Sequence, residues 1–140
     1  MVEPLSIAAS AASLVFRSIK IAKAISDFRS AYGKAPLVFV SISVECTIIS
    51  ATLSRVQHLA LAEPANLAAR FEGEAHLSEV FANVLESLAR VYSILEDDLS
   101  KMSEKDKLKI VWNEKSLEKK LGLIRGQELA VVTLLTIMQR

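Results

Sequence analysis

The sequence is poor in the residues that interrupt helices, with only 4 glycines and 3 prolines among 140 residues. A turn-rich β fold needs more of both, so their scarcity favours long helices. The single cysteine, Cys46, excludes an internal disulfide and fits a reducing compartment. Aromatic residues make up 6% of the chain and accompany no nucleic-acid-binding motif. Nucleic acid is therefore not expected as a partner.

Charge is absent from residues 4 to 16, at the very start of the chain. The segment does not have the order of a secretory signal, since Glu3 precedes it and the basic residues follow it. It ends at Arg17, short of the roughly 18 apolar residues that a membrane-spanning helix needs. We expect neither a signal peptide nor a spanning helix here, and a cytoplasmic protein.

The charges that are present are distributed unevenly, although the net charge is only +1. Residues 63 to 100 carry eight acidic and two basic side chains. Residues 1 to 34 carry five basic and two acidic side chains, and residues 101 to 140 carry nine basic and five acidic ones. The basic ends could therefore dock onto the acidic middle, onto anionic lipid or onto another chain.

Helical periodicity predicts a first helix from Pro4 to the region of Gly33. Its apolar stripe consists of Ile7, Leu14, Ile21, Ile25, Phe28 and Tyr32. Arg17, Lys20, Lys23 and Asp27 fall on a different face. The second half is thus an ordinary amphipathic helix, whereas the first half is apolar or small all round.

The segment after Ala35-Pro36 carries conflicting signals. Its start alternates and is rich in β-branched residues, which is typical of a strand. A seven-residue apolar repeat nevertheless runs through Val38, Ile42, Cys46, Ile49, Leu53, Val56 and Ala60, and a polar stripe through Ser43, Thr47, Ser50, Ser54 and Gln57. Two interleaved stripes of this length outweigh local propensity and predict a second helix.

The remainder of the chain predicts a loop and further helices. The loop runs from Glu63-Pro64 to Gly73 and could include a short turn of helix, and a break is expected at Ser100 to Ser103. The helical stripes are Leu77, Phe81, Val84, Leu88, Val91, Leu95 and Leu99; a short one with Leu108, Val111 and Trp112; and Leu117, Leu121, Ile124, Val131, Leu135 and Met138. We expect an all-α, antiparallel bundle of four to five helices that forms one domain over residues 1–140. The chain ends inside an apolar helix, which suggests a longer parent protein.

Residues that carry chemistry are few. His58 and His76 have no metal-ligand spacing, and Cys46 lies on the predicted core stripe without a His or Asn motif. The carboxylates Glu96-Asp97-Asp98 are most simply a solvated helix end. We therefore expect no enzyme, with no catalytic, cofactor-binding or metal-binding residues and no cofactor.

Small residues recur at helical spacing in two places. Ser6, Ser10 and Ser13, with Ala8 and Ala12, let the first helix approach another closely, either within the bundle or between inserted helices. Gly122 and Gly126 are expected to pack closely against the N-terminal helix rather than to pair in a membrane.

Several of these features resemble the N-terminal HeLo-like domain of fungal STAND proteins, which are NLR-like immune and heterokaryon-incompatibility receptors. The resemblance rests on Glu3-Pro4-Leu5-Ser6-Ile7-Ala8, on the Ala35-Pro36 boundary, on Glu45 followed by Leu53, and on Lys107 to Trp112 (KLKIVW) before a lysine-rich helix. It covers almost the whole chain. The second helix departs from the family pattern, since it carries only Glu45 and Arg55 as charged residues.

The resemblance implies a helical bundle similar to that of the necroptosis pseudokinase MLKL, and a role in programmed cell death. A NACHT or NB-ARC domain is expected to follow in the full-length receptor, and either this domain or an amyloid signal would cluster the bundles, so self-association is expected. The N-terminal helix would then move from the cytoplasm to the plasma membrane and permeabilise it. Leu5, Ile7, Leu14, Val15 and Phe16 would insert, while Arg17, Lys20 and Lys23 would contact anionic lipid headgroups.

A second hypothesis remains open at this point. The bundle could instead be a homotypic or adaptor interaction domain that never enters lipid. In that case the N-terminal helix would be a fixed core element, and the acidic and basic surfaces would recruit another protein.

Overall fold

The computed structural model of the protein describes residues 3–32, 37–74, 76–104 and 114–140. These residues form helices and no strand, which confirms the predicted all-α fold. The helices are α1 (Pro4–Tyr32), α2 (Leu37–Ala62), α3 (Pro64–Gly73), α4 (Leu77–Glu104) and α5 (Glu114–Met138). The short helix predicted around Leu108, Val111 and Trp112 lies outside the described residues.

Helices α1 and α2 form one antiparallel hairpin, and α4 and α5 form another. Phe28 near the end of α1 meets Phe39 near the start of α2, with ring centroids 5.6 Å apart. In the second hairpin, Lys120 pairs with Asp98, and further along Gln127 donates to Ser87 at 2.8 Å. The conflict over α2 is therefore resolved in favour of the helix, because its apolar stripe finds partners along its whole length.

The hairpins pack so that α1 lies beside α4 and α2 beside α5. Helices α1 and α4 run in the same direction, since Ile7 and Ser10 line a groove with Ala82 and Leu85 while Arg17, later in α1, reaches Glu96. Helix α2 is flanked by α1 and α5 and faces α4 across the core.

The core is a continuous apolar cluster to which every one of these helices contributes. On α2 it consists of Phe39, Ile42, Cys46, Ile49, Leu53, Val56 and Ala60, so the predicted stripe is confirmed except that Phe39 replaces the half-buried Val38. The first position of the stripe shifts by one residue because Phe39 packs against Phe28.

Two boundaries differ from the sequence prediction. The expected loop from Glu63 to Gly73 is the helix α3, which buries Leu67 and Phe71 and places Phe71 edge-on against Phe81 with centroids 5.4 Å apart. Proline in its first turn is compatible with a helix start, and the two apolar anchors lie four residues apart on one face. The expected break at residues 100 to 103 is wrong, since α4 continues to Glu104.

Candidate functional site

Helix α1 has apolar residues on two opposite faces. Its core face consists of Ile7, Ala8, Ala11 and Leu14, which are 1%, 3%, 0% and 4% exposed. Its outward face consists of Leu5, Ala9, Phe16 and Ile19, all exposed. Leu5 and Phe16 are 60% and 64% exposed. An apolar stripe that the bundle does not cover is typical of an interaction surface.

The five residues predicted to insert into a membrane are therefore divided between the two faces. Leu5 and Phe16 are exposed, Ile7 and Leu14 are buried, and Val15 is half-buried against the core. The prediction for these residues stays a prediction. The structure adds that only Leu5 and Phe16 are available while the bundle is closed.

Sequence reasoning missed Ile19, which is 55% exposed. At about 100° per residue, Ile19 lies on the same side of the helix as Phe16 and Leu5. The spacing was visible in the sequence, but the stronger stripe through Ile7 and Leu14 concealed it.

The basic residues of α1 differ in their surroundings. Lys20 and Lys23 are exposed, and the Lys20 Nζ lies 5.4 Å from the centre of the Phe16 ring. A cation beside an exposed aromatic ring is suited to the boundary between anionic headgroups and apolar chains. These two lysines can reach such a boundary without any change in the fold.

Arg17 is directed toward α4 instead of solvent. Its Nε lies 3.2 Å from both carboxylate oxygens of Glu96, and its Nη2 donates to the Ala89 carbonyl and the Ser93 hydroxyl at 3.1 Å each. The guanidinium also lies 5.9 Å from the centre of the Tyr92 ring. The predicted headgroup contact of Arg17 stays a prediction, and in the bundle it would require these bonds to break.

A buried polar chain lies beside this ion pair. The Ser18 hydroxyl donates to the Leu14 carbonyl at 2.7 Å, so its oxygen is left to accept from the Tyr92 hydroxyl. Tyr92 and the buried Cys46 of α2 lie within electrostatic range of each other. Burial raises the pKa of Tyr92 above its ordinary value and raises the pKa of Cys46 to about 12. Both groups are therefore neutral at physiological pH, and the bond between Ser18 and Tyr92 links α1 to α4 within the core.

An open groove of about 450 Å³ separates the first half of α1 from α4. Its walls carry small residues on both helices, namely Ala9, Ser10 and Ser13 on α1 and Ala82 and Ala89 on α4. Of the predicted small-residue ladder, Ala8 packs in the core and Ala12 is half-buried, whereas Ser6, Ser10 and Ser13 are exposed. The alanine side of the ladder thus serves packing in the bundle.

Two expectations about surface residues are wrong. Gly122 and Gly126 do not pack against the N-terminal helix, since both are exposed and a Cβ at either position would meet nothing within 4 Å. The carboxylates at 96 to 98 are not simply solvated, because Glu96 binds Arg17 and Asp98 binds Lys120 of α5. Both carboxylates hold neighbouring helices against α4.

Helices α1, α2 and α5 each contain a segment long and apolar enough to cross a membrane. The segments are Pro4–Phe28, Leu37–Ala62 and Ser116–Met138, with 33%, 33% and 22% of their most apolar windows buried in the bundle. The expectation that the apolar run ends at Arg17, short of a spanning length, is therefore wrong. The run of residues 4 to 16 is part of a longer apolar helix, because isolated charges such as Arg17 do not end its apolar character.

A candidate metal centre is not assembled in the part of the chain that the structure describes. That part brings together no cluster of three His, Cys, Asp or Glu residues able to hold a metal ion. His58 and His76 are exposed, and Cys46 is buried. Comparison with protein-family models, curated proteins and solved structures finds no match to this chain.

Proposed function

We propose that the chain is the membrane-targeting, pore-forming cell-death domain of a fungal NLR-like receptor, with α1 as the inserting element. The observation that carries the proposal is the exposed apolar outward face of α1 beside Lys20 and Lys23. The resemblance to HeLo-like domains supports the same conclusion. A NACHT or NB-ARC domain following the bundle would cluster it, and clustering would move it from the cytoplasm to the plasma membrane.

Insertion would bury more apolar surface of α1, because a bilayer covers both faces of the helix whereas the bundle covers one. Leaving the bundle exposes Ile7 and Leu14, and entering lipid buries them again. Leu5 and Phe16 are buried only in lipid, at about 1.5–3 kcal/mol each. Against this gain stand the bonds of Arg17 and Ser18 to α4, so a modest bias from clustering can decide the balance.

The test is release of a trapped dye from anionic vesicles. The chain would be clustered through a C-terminal histidine tag on nickel-chelating lipid, which leaves α1 free. We expect leakage with the unaltered chain and strong loss of leakage with Phe16→Glu. Removal of residues 1–16 is a poorer test, because it also strips Ile7 and Leu14 from the core. Unchanged leakage by the folded Phe16→Glu variant would contradict the proposal.

A second candidate function is a homotypic or adaptor interaction bundle in which α1 never leaves. The complete burial of the core face of α1 and its bonds to α4 favour this alternative. It predicts that the amide protons of residues 7 to 14 exchange equally slowly in solution and on clustered vesicles. Faster exchange of this segment on vesicles alone would exclude it.

A further inference from the structure

The outward face of α2 is an apolar surface that the function of α1 does not use. It consists of Leu37, Val44, Ile48 and Ala51, all exposed, the first three by 78%, 50% and 39%. Val44 lies two residues before the fully buried Cys46, and Ile48 lies two residues after it. At about 100° per residue they lie on the opposite side of the helix, directed away from the core.

Along the first two thirds of α2, no charged side chain lies on this face. Glu45 is the one acidic residue of the helix, and its side chain is 15% exposed and directed to Arg125 of α5, with the Glu45 Oε1 3.6 Å from the Arg125 Nε. The next charge is Arg55, exposed one turn beyond Ala51 on the same stripe. A basic residue thus borders an otherwise uncharged surface.

Two threonine hydroxyl groups on this side of α2 are already bound within the helix. The Thr47 hydroxyl donates to the Ser43 carbonyl at 3.0 Å, and the Thr52 hydroxyl donates to the Ile48 carbonyl at 2.9 Å. Polar groups whose donors are bound internally enter a poorly hydrated region at low cost. This face is therefore suited to a lipid environment in chemistry as well as in composition.

The uneven distribution of charge over the bundle favours an anionic membrane as the partner. Helix α2 faces α4 across the core, and residues 63 to 100, which form α3 and most of α4, carry eight acidic and two basic side chains. With α2 against an anionic membrane, this acidic side is farthest from the lipid phosphates. Pairing of two copies through this face would offer Arg55 no opposite charge, because Arg55 is also the one charged residue on the same face of the second copy.

We propose that the outward face of α2 docks the closed bundle onto the surface of an anionic lipid bilayer. The inference rests on the proposed function, which makes a membrane the target. It assigns membrane binding to α2 and leaves permeabilisation to α1. Val44 and Ile48 contact the apolar boundary of the lipid, and Arg55 contacts headgroup phosphate. Docking requires no release of α1 and would precede it.

The experiment measures sedimentation of the 140-residue chain with phosphatidylserine–phosphatidylcholine vesicles. The test variant is Val44→Ser with Ile48→Ser. The matched control is Val80→Ser with Ile94→Ser on α4, whose residues are comparably exposed at 43% and 47%. We expect a fall of about tenfold in vesicle partitioning for the α2 variant and little change for the α4 control. Equal partitioning of the two variants would overturn the proposal.

A second pair of variants guards against misfolding of the double substitution. Ala51→Glu on α2 and Asn83→Glu on α4 each add one negative charge at an exposed helical position. We expect only Ala51→Glu to weaken binding. If the α2 variants instead lose a dimer in vesicle-free solution and keep their vesicle binding, the face pairs two copies and the lipid proposal is wrong.

The outcome also separates this inference from the proposed function. Binding that depends on Val44 and Ile48, without any dye release, would support docking by α2 and contradict pore formation. Dye release that depends on Phe16, with binding indifferent to Val44 and Ile48, would support the pore and overturn docking by α2.

Discussion

Arg17 of α1 and Glu96 of α4 join two helices across 79 residues of sequence, with the Arg17 Nε 3.2 Å from each carboxylate oxygen. The guanidinium also binds Ser93, so α4 supplies ligands from two turns. A lipid phosphodiester carries one negative charge, as the carboxylate does, and likewise offers a guanidinium two acceptor oxygens. Arg17 can therefore hold α1 in the bundle first and bind lipid only after α1 is released, because the same guanidinium makes both contacts.

Loss of the Glu96 charge should loosen α1. Glu96→Gln keeps the shape of the side chain and removes the ion pair, and Glu96 is only partly covered, so we expect a loss of about 1 kcal/mol in unfolding free energy. Amide exchange in residues 4 to 16 should accelerate without lipid. Exchange mass spectrometry and urea unfolding measure the two effects.

The matched control for this change is Glu86→Gln. Glu86 pairs with Arg90 at 2.8 Å within α4 itself, and both side chains are well exposed. It should leave the exchange of α1 unaltered and cost no more than about 0.5 kcal/mol. If both glutamine variants affect α1 alike, the Arg17–Glu96 contact has no special part in holding it.

Leu14 and Phe16 should separate the core role of α1 from its surface role. Leu14 is 4% exposed, so Leu14→Glu buries a charge without a partner and should cost at least about 3 kcal/mol, enough to unfold a marginal bundle. Phe16 is 64% exposed, so Phe16→Glu should keep the melting temperature within a few degrees. Circular dichroism melting curves of the two variants make the comparison. Similar melting of both would show that Leu14 is not packed as described.

Ser18 and Tyr92 should prove energetically coupled. Tyr92→Phe removes the hydroxyl that bonds Ser18 and leaves the ring in the core, and we expect a loss of about 1–2 kcal/mol. Ser18→Ala should cost a similar amount, and the double variant less than the sum of the two. Chemical unfolding of the four proteins gives the coupling energy. Strict additivity would contradict a direct bond between the hydroxyls.

Much of the fold could be predicted because α1, α2, α4 and α5 each repeat their apolar residues at the helical period. Helix α3 could not, since ten residues with a Pro start and the anchors Leu67 and Phe71 offer too short a pattern to establish a period. The predicted break before the end of α4 is wrong because Ser100 and Ser103 can cap a helix only where the backbone leaves the helical conformation, and here it stays helical to Glu104.

The candidate site was harder to predict for a different reason. Helical spacing predicts Ile7 and Leu14 on the core stripe, and both are buried. Apolar residues nevertheless surround the first half of α1, so the sequence alone does not say that Leu5 and Phe16 stay exposed; packing against α2 and α4 decides it. The partner of Arg17 was equally hidden, since Glu96 lies 79 residues away and no local pattern connects them. Composition thus identifies residues 4 to 16 as the candidate segment, and only tertiary contacts show which of its residues are buried and which are exposed.

Gly122 and Gly126 should each stabilise the bundle when replaced by alanine. Both lie inside α5, both are exposed, and an added Cβ meets nothing within 4 Å. Alanine removes the conformational freedom that glycine gives the unfolded chain, so we expect a gain of about 0.5–1 kcal/mol per substitution. Thermal unfolding measures this gain in stability. Ala130→Gly makes the reverse change in the same helix and serves as the control. A loss of stability in both alanine variants would mean that another helix packs closely on this face, which would return these glycines to the role that their spacing first suggested.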